Sequence, residues 1–246
     1  MGKVMVSMIA GAAATLVATG ATWAQPIVIT SHRFTFELPG QASQFLEPAT
    51  QGTVDRNATF TQNLSGAFGG TGTLQTTGTA RGSTSWTPTT ISWSAEATIA
   101  NSILEPFEVD DYAEVGLRAQ MITEVRFQIS AALQVQITRG PAITSGTGPD
   151  FLADLSLPRL FPLDSSGEPI INQGIIIDYG DPARTLQPGE YLARIRSAAI
   201  YVTSLGNAPA AGSSSVADSA TLVVVPGPGS LTFASVITLF AARRRR

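Results

Sequence analysis

From Ala113 to Thr138 apolar and polar residues alternate with a period of two. The odd positions read Ala113, Val115, Leu117, Ala119, Met121, Thr123, Val125, Phe127, Ile129, Ala131, Leu133, Val135 and Ile137, all apolar except Thr123. The even positions between them are polar or Gly except Ile122 and Ala132. A helix would repeat its apolar residues at three and four, so this pattern predicts strand with one dry face and one wet face. Run straight, these 26 residues would reach roughly 85 Å, so the segment must fold back, with a two-residue turn near Ile122-Thr123-Glu124 keeping the alternation in phase.

Neighbouring segments agree in type. Ile27 and Ile29 alternate on odd positions and Phe34, Phe36 and Leu38 on even ones, which predicts a first strand with a bulge near Ser31-His32. Residues 65–92 hold 19 Gly, Ser and Thr among 28, too broken for helix, and predict short exposed strands with tight turns. Pro158, Pro162, Pro169, Pro182 and Pro188 predict a loop-rich region from Gly140 to Gly189, with a short strand only at Ile175–Ile177. The last strands are expected at Glu190–Thr203 and Ala217–Val225. Leu186, Pro188, Gly189 and Tyr191 form a Leu-x-Pro-Gly-x-Tyr step that resembles the tyrosine corner of Greek-key sandwiches, in which the hydroxyl bonds a backbone group just upstream. Together these features predict an all-β body, an antiparallel two-sheet β-sandwich of jelly-roll-like or Greek-key type.

The two ends read as addresses. Residues 1–24 carry Lys3, an Ala/Val/Leu-rich middle and Thr22-Trp23-Ala24, the layout of a secretory signal peptide cleaved between Ala24 and Gln25. At the other end Val225, Pro226, Gly227 and Pro228 precede an apolar run from Leu231 to Ala242 and then Arg243, Arg244, Arg245 and Arg246. The run is 12 residues, roughly 18 Å as a helix against a hydrocarbon core of about 30 Å, so it spans only with help from Val225–Ser230 and from snorkelling arginines. Pro motif, short hydrophobic helix and basic tail in this order resemble the PEP-CTERM sorting signal of bacterial exported proteins, with Gly227 where that family usually has Glu. The resemblance implies an exosortase-type membrane enzyme that recognises the Pro motif and processes the tail after transient membrane insertion. It also implies the secretory translocon as a partner and a destination at the cell surface or in an exopolysaccharide matrix. The body is then residues 25–225, between a signal peptide at 1–24 and a sorting tail at 226–246.

Charge changes the picture once the ends are removed. The whole chain carries 15 basic and 18 acidic residues; Lys3 and the four terminal arginines fall outside the body, leaving 10 against 18, or −8. Every cation of the body is then an arginine. This acidity argues against a nucleic-acid surface and, unless divalent cations bridge the two, against adhesion to anionic polymers through simple charge.

Groups able to do chemistry are few. Without Cys and with one His, thiolate sites, disulfides and His-rich metal cages are excluded, and a Ser-His-Asp triad would have to use His32, for which no Gly-x-Ser-x-Gly elbow supplies the serine. Glu105, Glu108, Asp110, Asp111 and Glu114 concentrate carboxylates, with Glu108, Asp110 and Asp111 a weak calcium candidate that lacks the spacing of a defined loop; a solvated acidic turn is the plainer reading, and no metal or cofactor is assigned. Trp86 and Trp93 flank Pro88 and would either pack in the core or, if a turn brings them to one exposed face, form a sugar-stacking platform. The leading expectation is an exported, non-catalytic surface or matrix protein. The alternatives are a carbohydrate-binding sandwich using the Trp pair, with or without calcium, and a carboxylate-based hydrolase.

Overall fold

The computed structural model describes residues 27–48, 52–65, 72–106, 115–148, 150–203 and 210–225. Thirteen strands follow in chain order: β1 (Val28–Leu38), β2 (Gln41–Pro48), β3 (Gly52–Ser65), β4 (Thr73–Thr87), β5 (Thr90–Glu105), β6 (Val115–Ile129), β7 (Leu133–Arg139), β8 (Ile143–Thr147), β9 (Phe151–Pro162), β10 (Ile175–Ile176), β11 (Arg184–Leu186), β12 (Gly189–Thr203) and β13 (Gly212–Val224). They form two antiparallel sheets in a β-sandwich-like arrangement. One has six strands in the order β10-β9-β12-β6-β1-β2; the other has seven, of which β11-β7-β13-β5-β4-β3 run in order and β8 pairs with β13 beside β7.

Alternation becomes burial with little exception. In β4, β5 and most of β13 every second residue is buried, the mark of sheets with one inner and one outer face. In β1 the register slips between Ile29 and Ser31, a bulge close to the expected place, and it turns Ile27, Ile29, His32, Phe34, Phe36 and Leu38 all inward.

Three expectations are corrected. The 113–138 segment does not turn at Ile122-Thr123-Glu124: β6 runs unbroken through those residues and the chain reverses at 130–132, because a central strand buried on its inner face has no place for a mid-strand reversal. The Gly/Ser/Thr-rich segment yields long strands rather than short exposed ones. Its inward positions in β4 are Leu74, Thr76, Gly78, Ala80, Gly82, Thr84 and Trp86, and small residues there make room for large ones opposite. A Cβ on Gly82 would lie 2.0 Å from the Met121 Cε and 2.8 Å from the Phe34 Cδ1, well inside van der Waals contact. Finally, the region from Gly140 to Gly189 contains β8, β9 and β11 besides the short β10. Pro158 is tolerated in β9 because the register shifts there, Arg159 pairing with Arg194 and Ser156 with Arg196, so the missing N–H falls at a bulge.

The sheets are pinned by hydroxyls that reach across the core. Thr123 Oγ1 donates to the Ser94 carbonyl at 2.7 Å, Ser197 Oγ to Ala95 at 2.9 Å, and Ser214 Oγ to Leu152 at 3.0 Å. These contacts and the ladders fix the polarity of the molecule. Val28 pairs with Gln128, one residue from the turn that leads into β7, and the Val225 N–H donates to the Gln134 carbonyl at 2.8 Å. The first and last strands of the body therefore begin and finish at the same pole of the sandwich.

Candidate functional site

The tyrosine step lies at that pole. Leu186 and Tyr191 are buried, and the Tyr191 hydroxyl donates to the Gln187 carbonyl at 2.8 Å while its ring stacks on Phe127 at 5.6 Å. Pro188 and Gly189 carry the chain over this arch into β12. Burial raises the Tyr191 pKa and the bond to Gln187 partly offsets it, as for a structural latch.

The tryptophans do not form a platform. The turn at Pro88-Thr89 brings them onto one face, as a shared site requires, but that face is the inner one. Trp86 pairs with Ile91 and Trp93 with Thr84, and the rings are 7% and 1% exposed, so neither can stack on a sugar. His32 is buried on the facing sheet. Glu108, Asp110 and Asp111 lie outside the described residues, as do Ala24 and Gln25 of the signal site and Pro226, Gly227, Pro228 and Arg243–Arg246 of the tail.

The feature that the sequence did not announce is on the outer face of the six-stranded sheet. Cross-strand register sets Arg33 of β1, Glu124 of β6, Arg194 of β12 and Arg159 of β9 in one row. The next row holds Thr35, Ile122, Arg196 and Ser156. These residues, with Gln44 and Phe161, line a groove of about 470 Å³, within the size range of ligand clefts. Glu124 is the anchor: Arg194 Nε donates to its Oε1 at 2.6 Å and Arg33 stands 3.6 Å from its Oε2. Arg196 bonds Asp154, with Arg118 3.7 Å from the same carboxylate. Four guanidiniums thus share two carboxylates. Arg194 and Arg159 stand directly opposite each other, a like-charge pairing that weakens a sheet, and Arg159 has no ion pair among the described residues. The side chains of Arg33, Arg118, Arg194 and Arg196 remain 35–44% exposed.

Chemically, the groove offers oxyanions the Arg159 guanidinium, which has no carboxylate partner among the described residues, and the N–H groups that Arg33, Arg194 and Arg196 do not spend on carboxylates, beside the hydroxyls of Thr35 and Ser156 and the amide of Gln44. Its carboxylates are committed to arginines. A partial signal was present in the sequence, since Arg194 and Arg196 two apart on a predicted strand must share a face, as must Arg118, Glu124 and Arg126. The strand order that sets β1, β6, β12 and β9 side by side was not readable. Comparison of the chain with protein-family models, with curated proteins and with solved structures finds no match.

Proposed function

We propose that this is an exported, non-catalytic surface protein whose C-terminal Pro motif is handled by an exosortase-type enzyme and whose body serves in the extracellular matrix. The observation that carries the reading is the three-part tail, Pro226-Gly227-Pro228, apolar run and four arginines, beginning one residue after the last hydrogen-bonded residue of β13's extension, Val225. In sequence the motif follows directly on the end of that ladder. Ile27, fully buried, lies three residues after Ala24, so the predicted signal cleavage falls ahead of the first buried residue among those described. The same reading takes the sandwich as a Greek-key relative: β3, β4 and β5 meander, and the chain then crosses between sheets from β5 to β6, from β6 to β7 and from β12 to β13.

Intact-mass measurement on the protein from its producing cells tests this. The expected mature form starts at Gln25 and lacks Arg243–Arg246. A mature form that keeps the arginine tail would sink the sorting reading in favour of a simple tail anchor.

A further inference from the structure

We infer that the arginine-lined groove on the outer face of the six-stranded sheet binds an acidic polysaccharide through its carboxylate or sulfate groups. The inference names the matrix chemistry of the surface-protein reading and rests on it only for where the two meet; the groove belongs to the body alone.

Charge is spread unevenly over the body. A net charge of −8 for the body averages over an uneven surface: six of its ten arginines, Arg33, Arg118, Arg126, Arg159, Arg194 and Arg196, are carried by β1, β6, β9 and β12 on one face, against four carboxylates of the same strands there, Glu37, Glu124, Asp154 and Glu190. Simple acidity therefore does not rule out anionic polymers, contrary to the expectation from composition. Within the groove the excess is held in place. Glu124, its side chain 6% exposed, fixes Arg194 and Arg33; Arg194 also lies over the Phe161 ring at 5.9 Å. Guanidiniums already held in place lose little freedom on meeting an oxyanion, to which their remaining N–H groups donate, and the unpaired Arg159 can meet carboxylate or sulfate with paired N–H groups. The opposed Arg194 and Arg159 weaken the sheet as it stands, and an anion between them would remove that cost.

The lining decides the class of polymer. Thr35, Gln44 and Ser156 supply donors and acceptors suited to sugar hydroxyls. Phe161, the aromatic among the lining residues, is 4% exposed and covered by Arg194, so no ring is offered for base stacking, on which single-stranded nucleic acids depend. The row from Arg33 to Arg159 crosses four strands, roughly 14 Å at the usual strand spacing, long enough for more than one charged sugar.

Affinity electrophoresis of the mature protein, as purified from its producing cells, through gels containing alginate, dextran sulfate, neutral dextran or single-stranded DNA tests the inference. Retardation by alginate or dextran sulfate is expected, the stronger of the two identifying carboxylate or sulfate as the group recognised, and it should fade with added salt. Arg159→Gln breaks no ion pair among the described residues and should weaken binding about tenfold, and the Arg33→Gln/Arg159→Gln pair more. Arg81→Gln, on the other sheet, should change nothing. No retardation by either polyanion, equal retardation by neutral dextran, tighter binding to DNA, or unchanged binding in R159Q would each overturn the inference. Because tail processing is read by mass and glycan binding by mobility, failure of one leaves the other standing.

Discussion

His32 sits on the inner face of β1, 1% exposed, with neither ring nitrogen hydrogen-bonded among the described residues. The facing sheet offers little at its level. Gly82 packs on Phe34, and one inward step further along both strands lie His32 and the Thr84–Trp93 pair, whose Oγ1 and Nε1 are likewise without partners. Burial lowers the His32 pKa, and Glu47 opposite it on β2 pulls the other way, though Arg56 engages that carboxylate. The native state therefore takes up its proton at lower pH than the unfolded chain, whose imidazole titrates near 6.5. The contribution is fully present above about pH 6.5, falls as pH drops through that value, and levels off below the folded pKa. Urea midpoints should fall from pH 8 to pH 5.5, no more steeply than about 1.4 kcal/mol per pH unit for one proton. In His32→Gln the slope over this range should flatten. An equal slope in the variant would assign the effect to other groups.

At the scale of elements, period and parity were the legible quantities. Alternation through Ala113–Thr138 marked β6 and β7 because both have one dry face, and the parity change before Phe34 marked the bulge of β1. What misled was punctuation: Pro158, read as loop, is absorbed by a bulge of β9 and Pro162 closes that strand, and the glycines read as turns in β4 are small residues, Gly78 packed on Phe60 and Gly82 on Met121 and Phe34. Neither can be told from sequence without knowing what lies opposite. The fastening of β7 to β13 was equally hidden. Arg139 Nε and Nη2 reach both oxygens of Asp218 at 2.6–3.0 Å, with side chains 8% and 0% exposed. The Tyr179 ring lies 5.2 Å from the guanidinium, and its hydroxyl accepts from the Ala142 N–H at 2.8 Å. The bond to Asp218 is the main cause of a raised Arg139 pKa. Asp218→Asn leaves the guanidinium with no carboxylate in a dry setting and should cost about 3–5 kcal/mol in urea unfolding. The double variant Arg139→Met/Asp218→Leu should recover much of that loss; a double variant as weak as the single one would show that packing, not charge, holds the two strands.

For the whole molecule, sequence conveyed the class, two antiparallel sheets, but not which strands are neighbours, and the candidate site exists only through neighbours. Arg33, Glu124, Arg194 and Arg159 are spread over much of the chain and meet because β1, β6, β12 and β9 are adjacent. The tryptophans, conspicuous in composition, went to the core, where large rings are most useful. The shared pole of the first and last strands has a consequence of its own. A molecule tethered through its tail and standing upright on that pole would have its strands along the membrane normal and β6, 15 residues long, lifting the far end roughly 50 Å above the lipid. There Ser65, Thr73, Glu105, Val115 and Thr203 end or begin their strands, and the acidic stretch of the sequence joins two of them. The arginine row runs across the strands, so in such a standing molecule it lies level with the cell surface. A polymer seated on it would be led sideways from one molecule to the next, lacing them into a sheet of matrix rather than a brush.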